Sequence, residues 1–166
     1  SLTKVEGLIT LTRENLKLLS KLKSNYWARY QFDSKIDDEY LILIDSFLSR
    51  FSPSQLSVRD SLLITLYLAN QQGITDASLP FIKKYNLRHL DLQGTSFTKV
   101  NELDLSKSDS ITLPKGAELS GIENLLTRQK YSILDFSRVQ LSEKQLEKII
   151  SQTRVRLMYL GGTHFN

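Results

Sequence analysis

The residues of this chain with the clearest chemical potential are its two histidines, His89 and His164. They lie 75 positions apart, whereas a metal site needs several histidine or carboxylate ligands that converge. His89 has one candidate partner, because Asp91 follows two residues later and side chains two apart on a strand share a face. Such a pair can orient a general base, but no nucleophile or third member is evident. We therefore predict that His89 is an outward residue of a binding surface.

Other familiar catalytic and cofactor motifs are missing from the sequence. No cysteine is present, which excludes disulfides, thiolate metal sites and cysteine nucleophiles. Gly161 and Gly162 form a turn pair, and the Gly-x-x-x-x-Gly-Lys phosphate loop does not occur. The acidic run of Asp37, Asp38 and Glu39 is accounted for by a helix start, where the helix dipole favours negative charge. The sequence therefore predicts a protein that is not an enzyme, with no catalytic residue, no cofactor and no metal.

Charge and hydropathy argue against two classes of partner. The chain carries 22 Lys and Arg against 18 Asp and Glu, and the excess of +4 is evenly spread. The longest basic run is Lys83-Lys84, so the sequence does not indicate a nucleic-acid ligand. No stretch approaches the roughly 18 apolar residues of a membrane span, and the start has no signal-peptide core. We predict a cytoplasmic protein. If the chain is instead an effector that a bacterium delivers into a host cell, one of the alternatives considered below, we expect it in the host cytosol.

Helical patterns dominate residues 1–61. Thr12 is suited to cap a first helix, and a second helix is predicted over residues 37–50. Ser52, followed by a proline, indicates a short third helix. The aromatic segment at residues 26–32 fits either an exposed interface patch or a plug that closes the end of a core. We predict that residues 1–61 form a helical N-terminal capping region.

From residue 62 onward, short strand patterns recur at nearly constant spacing. The spacings between their centres are 24, 21, 23 and 24 positions, and the centres are Leu66, Leu90, Ile111, Leu134 and Met158. One such unit cannot bury its apolar face alone, so units of this length are expected to stack as successive coils. We use the word coil below for one strand segment together with the chain that returns to the next.

The segments between the strand patterns also resemble one another. Thr75 and Ser142 each stand before an acid and then apolar residues at helical spacing, which predicts capped helical turns. A glycine, Gly94 or Gly162, follows the strand and permits a tight turn. The threonine after each glycine has a hydroxyl that can bond to the backbone of the neighbouring coil.

The motif Leu87-x-x-Leu90-x-Leu92-x-Gly94-Thr95 resembles the leucine-rich repeats of the ribonuclease-inhibitor-like and F-box-associated group. The resemblance covers residues 62–166, in which we expect about five repeats. It implies an α/β fold, a short leucine-rich-repeat solenoid with parallel strands on one face and the helical region as its N-terminal cap. It also implies that partners bind on the concave side formed by the strands.

The third strand has two candidates, residues 103–105 and residues 111–113. The first would change the strand spacing to 13 and then 31 positions, which stacks badly. We therefore predict that residues 111–113 form the stacked strand and that Leu103 and Leu105 cover the other side.

Outward positions on the strand face are the candidates for partner binding. We single out six of them: Tyr67, His89, Asp91, Gln93, Asp135 and Tyr159. The tyrosines are rigid interface anchors, and the aspartates form an acidic line that suits a protein or peptide with a basic or mixed surface. The first hypothesis is therefore a protein-interaction module. The alternatives are an adaptor or bacterial effector whose helical end binds a second partner, or a non-catalytic part of a larger enzyme.

Overall fold

The computed structural model describes residues 7–19, 21, 29–117, 119–126 and 130–165. The chain separates into two compact units, Ser1–Leu66 and Tyr67–Asn166. Each unit combines helices with parallel strands, so the protein belongs to the mixed α/β class. Within the ranges given above, no helix is both long enough and apolar enough to cross a bilayer.

The described part of the first unit contains a two-stranded parallel sheet and three α-helices. The elements are β1 (Leu8–Leu11), α1 (Arg13–Leu19), β2 (Arg29–Phe32), α2 (Asp38–Leu48) and α3 (Leu56–Leu63). The predicted cap of α1 is confirmed, because Thr12 Oγ1 accepts a hydrogen bond from the Asn15 N–H at 3.1 Å. The buried Tyr40 hydroxyl of α2 donates to the Leu11 carbonyl at 2.7 Å and so joins helix to sheet.

The sheet of the first unit is a departure from the helical region that the sequence predicted. Strand β2 contains Tyr30 and Phe32, and aromatic residues favour strands when one side of the strand can be buried. Both side chains are half-buried, and the Tyr30 ring meets the Phe47 ring edge-on at 5.2 Å between centroids. The remainder of the predicted aromatic segment, residues 26–28, lies outside the described residues.

The second unit is organised by a four-stranded parallel sheet. Its strands, in spatial order, are β3 (His89–Asp91), β4 (Ser110–Thr112), β5 (Lys130–Asp135) and β7 (Arg154–Tyr159). The register pairs Leu90 with Ile111, Ile111 with Leu134, and Leu134 with Met158. The predicted alignment of these four positions is confirmed. The choice of residues 111–113 over residues 103–105 is confirmed as well, since Leu103 and Leu105 are buried outside the sheet.

The predicted first strand, around Leu66, is wrong. Helix α3 continues to Leu63, and the turn after it includes a hydrogen bond from the Thr65 N–H to the Leu62 carbonyl. The helix and its turn use residues that the strand would need. Leu66 and Leu68 are buried without forming a strand, although the Asn70 N–H donates to the Gln93 carbonyl at 2.6 Å.

Helical segments alternate with the strands of the second unit. They are α4 (Leu79–Tyr85), α5 (Ile122–Leu125) and α6 (Glu143–Gln152), with short 3-10 turns at Asp76–Ser78 and Val100–Glu102. Ser142 caps α6 and Thr75 caps the first 3-10 turn, as predicted. A second parallel pair, β6 (Gln140–Leu141) and β8 (His164–Phe165), lies next to the turns that follow β5 and β7.

Hydroxyl groups join successive coils, and one of the two predicted threonine bonds is confirmed. Thr163 Oγ1 donates to the Phe136 carbonyl of the preceding coil at 2.8 Å, as expected. Thr95 Oγ1 donates instead to the Leu92 carbonyl of its own coil at 2.7 Å. The bond to the previous coil comes from the next residue, because Ser96 Oγ donates to the Gln72 carbonyl at 2.9 Å.

Candidate functional site

The outward side of the four-stranded sheet carries two rows of side chains. Strand pairing aligns one row through Asp91, Thr112, Asp135 and Tyr159, and a second row through His89, Ser110, Ile133 and Leu157. We call these two rows the strand face. Four of the six predicted binding residues lie in them: His89, Asp91, Asp135 and Tyr159.

The remaining two predicted residues lie beside these rows. Gln93 is exposed directly after β3. Tyr67 is 75% exposed and is not part of a strand. It precedes Asn70 by three residues, as Asp91 precedes Gly94, and both Asn70 and Gly94 have positive φ. Tyr67 therefore occupies the position in its coil that Asp91 occupies in the next.

The two aspartates of the strand face hold the turns that follow their strands. Asp91 Oδ1 accepts from the Gln93 N–H at 3.0 Å, and Asp135 Oδ1 accepts from the Ser137 N–H at 2.9 Å. Burial raises the pKa of the Asp91 carboxyl, the Gln93 N–H opposes that change, and the negative charge of Asp135 raises the pKa further. The attraction of an approaching cation would offset both the cost of burying the Asp91 charge and its repulsion by Asp135.

Apolar surface lies at one side of the strand face. Tyr159 is 47% exposed and Leu157 is 45% exposed. Ile133 is half-buried and stands opposite Leu157 in the register. The strand face therefore combines two carboxylates with an aromatic and two aliphatic side chains, a mixture that suits a peptide carrying basic and apolar residues.

The turns after the strands repeat a left-handed residue that sequence reasoning identified only in part. Positive φ occurs at 60° in Asn70, 70° in Gly94, 75° in Gly116, 62° in Arg138 and 69° in Gly162. These positions are 24, 22, 22 and 24 residues apart. Glycine and asparagine tolerate this conformation, whereas other residues are destabilised there by about 1 kcal/mol. Arg138 is the exception in the series.

These turns line a groove of about 670 Å³. Its walls include four of the left-handed residues, Asn70, Gly94, Arg138 and Gly162, together with Lys115 and Asp135. Neither cation was predicted as a site residue. The available signal was the arginine at position 138, where the equivalent turns carry glycine or asparagine.

The histidines remain apart from one another in the structure. His89 is exposed on β3 and His164 is exposed on β8. In the described part of the chain, no three histidine, aspartate or glutamate side chains converge where a metal ion could sit.

Comparison with known proteins gives no guide to function, because no protein-family model, curated protein or solved structure matches the chain. The strand face and the groove at the turns are therefore the features from which a function can be inferred.

Proposed function

We propose that this chain is a protein-interaction module, a short leucine-rich-repeat solenoid that binds a protein or peptide partner on its concave strand face. The observation that carries the proposal is the register that aligns Asp91 and Asp135 with the exposed Tyr159. The turn bonds of Asp91 and Asp135 need only a side-chain oxygen, which asparagine also supplies, so folding requires neither their two charges nor an exposed tyrosine. A partner that supplies cations and apolar surface would stabilise both.

The repeat pattern of the turns supports the solenoid part of the proposal. A left-handed residue recurs every 22 to 24 positions from Asn70 to Gly162. Between turns the backbone bonds continue past the strands, since the Gly116 N–H donates to the Arg138 carbonyl and the Arg138 N–H donates to the Gly161 carbonyl. Coils that share such bonds and a common apolar interior are the units from which repeat proteins are built.

The charge of the strand face specifies the partner. Asp91 and Asp135 lie on β3 and β5, with β4 between them, and the negative charge of Asp135 adds to the effect of burial in raising the pKa of Asp91. A lysine or arginine placed between them would be attracted by both. Tyr159 and Leu157 offer apolar contact beside that position. We therefore expect a partner segment with a basic residue close to an aliphatic or aromatic one.

A decapeptide library with defined positional mixtures tests this expectation. Purified protein should retain peptides that contain Lys or Arg next to an apolar residue. For the best decapeptide, measured by fluorescence anisotropy, Asp91→Asn combined with Asp135→Asn should weaken binding about tenfold or more, as expected for loss of interactions with charged groups. Retention of peptides that lack Lys and Arg would contradict the proposal.

A matched control removes the same charge elsewhere. Glu143 and Glu147 are exposed on α6. Glu143→Gln combined with Glu147→Gln should leave the affinity for the best decapeptide within about twofold, because exposed charges beyond a screening length of about 10 Å act weakly. An equal loss in both double variants would show that net charge, and not the strand face, determines retention.

An adaptor is the second candidate, and one observation favours it. The first unit is compact by itself and exposes Leu18 and Ile42, at 58% and 66%. Exposed aliphatic side chains on helices are suited to bind a second partner. Under the main proposal, Leu18→Ala combined with Ile42→Ala leaves decapeptide binding unchanged. A loss in this variant would assign the decapeptide to the first unit and contradict the main proposal.

A further inference from the structure

The groove at the turns has the size and position of a binding site. Its volume of about 670 Å³ lies within the range of roughly 300–1,000 Å³ usual for sites that take small organic ligands. It reaches from Asn70 to Gly162, across the turns of all the coils. Thr112 and Asp135 belong to both the groove and the strand face, so a ligand on that face can extend into the groove.

Two cations in the groove have no partner among the described residues. Lys115 and Arg138 line it and are exposed. The part of the chain that the structure describes supplies neither an ion pair nor a side-chain hydrogen bond to either of them. They stand on neighbouring coils, whose turns are joined by the bond from the Gly116 N–H to the Arg138 carbonyl at 2.9 Å. Two cations on adjacent turns, with no counter-charge among the described residues, favour an anion.

Arg138 occupies a backbone conformation that does not suit it. Its φ of 62° belongs to the left-handed region, where Asn70, Gly94, Gly116 and Gly162 stand in the other coils. A residue kept in an unfavourable conformation beside a cavity indicates a functional role for its side chain. The side chain extends beside Gly162, where a Cβ would lie 3.3 Å from Arg138 Cγ.

The charges of the groove favour a singly charged anion. Lys115 and Arg138 contribute two positive charges and Asp135 one negative charge. A carboxylate balances the remaining single positive charge, whereas a phosphate dianion would leave an excess of negative charge beside Asp135. Gly94, Gly161 and Gly162 contribute no side chains to the groove wall.

We infer that the groove binds a carboxylate of the partner peptide between Lys115 and Arg138, while basic residues of the same peptide meet Asp91 and Asp135. The inference rests on the proposed function, because one peptide occupies both places. The carboxylate belongs either to the C-terminus of the peptide or to an acidic side chain within it. Capture of a C-terminal carboxylate by a protein groove is an established recognition mode.

Three decapeptide pools distinguish the sources of the carboxylate. The first has free C-termini and no Asp or Glu, the second is amidated with Asp and Glu, and the third is amidated without them. Wild-type protein should retain one of the first two pools at least fivefold better than the third. The better retained pool identifies the source. Equal retention of all three pools overturns the inference.

Variants of the two cations test the assignment of the site. Lys115→Gln combined with Arg138→Asn should abolish the preference for the carboxylate pools. Lys83→Gln combined with Lys144→Gln, which removes two exposed cations from α4 and α6, should preserve it. A preference that survives loss of Lys115 and Arg138 overturns the inference.

Two further readings separate this inference from the proposed function. Asp91→Asn combined with Asp135→Asn should weaken retention of all three pools, including the third, if the strand face binds the basic residues. If that holds while the carboxylate preference is absent, only the groove assignment fails. Arg138→Asn alone should keep Tm unchanged or raise it by about 3 °C, since asparagine tolerates the left-handed region. A fall in Tm would show that packing retains Arg138, and would contradict a binding role.

Discussion

The inner and outer sides of the four-stranded sheet differ in burial and in polarity. On the inner side, Leu90, Ile111 and Leu134 stand in register and are buried. On the outer side, Asp91, Thr112 and Asp135 stand in an equally regular row but are half-buried and polar. Burial of a leucine side chain contributes about 1.5–3 kcal/mol, so folding determines the inner residues. On the outer side, folding uses the turn bonds of Asp91 and Asp135 but does not require their charges, so the charges can serve binding.

The largest expected effect tests this division directly. Leu134→Ala should lower the free energy of unfolding by about 3 kcal/mol, through lost burial and the cavity that remains. The adjacent outer residue gives the matched control, and Ile133→Ala should lower it by less than about 1 kcal/mol. Urea denaturation followed by circular dichroism measures both. Similar losses in the two variants would show that the outer row also belongs to the core.

The turns that follow β3 and β4 differ in how much space they leave for a side chain at their glycines. A Cβ at Gly94 would lie 2.6 Å from Asn70 Oδ1 and 3.0 Å from Asn70 Cα, whereas a Cβ at Gly116 would meet nothing within 4 Å. Both glycines have positive φ. Gly94→Ala should therefore destabilise by about 2–3 kcal/mol, from conformational strain and overlap together, and Gly116→Ala by about 1 kcal/mol.

The difference in free energy of unfolding between Gly94→Ala and Gly116→Ala, measured by denaturation under the same conditions, isolates the effect of the close contact between Asn70 and Gly94. If Gly116→Ala proved as damaging as Gly94→Ala, the close approach of Asn70 to Gly94 would not matter for stability. The strain of the left-handed turn would then account for both losses.

The smallest expected effect is a gain in stability, for a substitution at Asp91 in the outer row. Because burial and Asp135 raise the pKa of Asp91, ionisation of Asp91 opposes folding as pH rises through the raised pKa. Asp91→Asn removes that opposition and keeps an oxygen to accept the Gln93 N–H. We expect a Tm at neutral pH that is slightly higher than in the wild type, and no gain at a pH low enough to protonate Asp91. A lower Tm at neutral pH would mean that Asp91 contributes to stability.

The sequence predicted the buried inner side of the sheet well, because its residues are determined by folding. The spacing of Leu90, Ile111, Leu134 and Met158 predicted their alignment. Strands that stack must bury their apolar residues against one another, so those residues recur at a regular spacing in the sequence. The same reasoning failed at Leu66. The apolar spacing there continued, but helix α3 extended to Leu63 and left no residues for a strand.

The candidate site was less visible in the sequence than the fold. Alternation around the inner leucines located His89, Asp91, Asp135 and Tyr159 on one face. It could not locate Arg138, because an arginine in a turn has no apolar periodicity and its significance depends on a backbone angle. Comparison of equivalent turn positions would have shown that glycine or asparagine stands elsewhere in the series.

Chemical-shift mapping with the best decapeptide is the most direct test of the strand face as the binding surface. Titration of isotope-labelled protein should perturb backbone amides of Asp91, Thr112, Asp135 and Tyr159 most strongly, with smaller changes along the inner positions between them. Perturbations confined to residues of the first unit, Ser1–Leu66, would contradict the account and assign recognition to the other half of the protein.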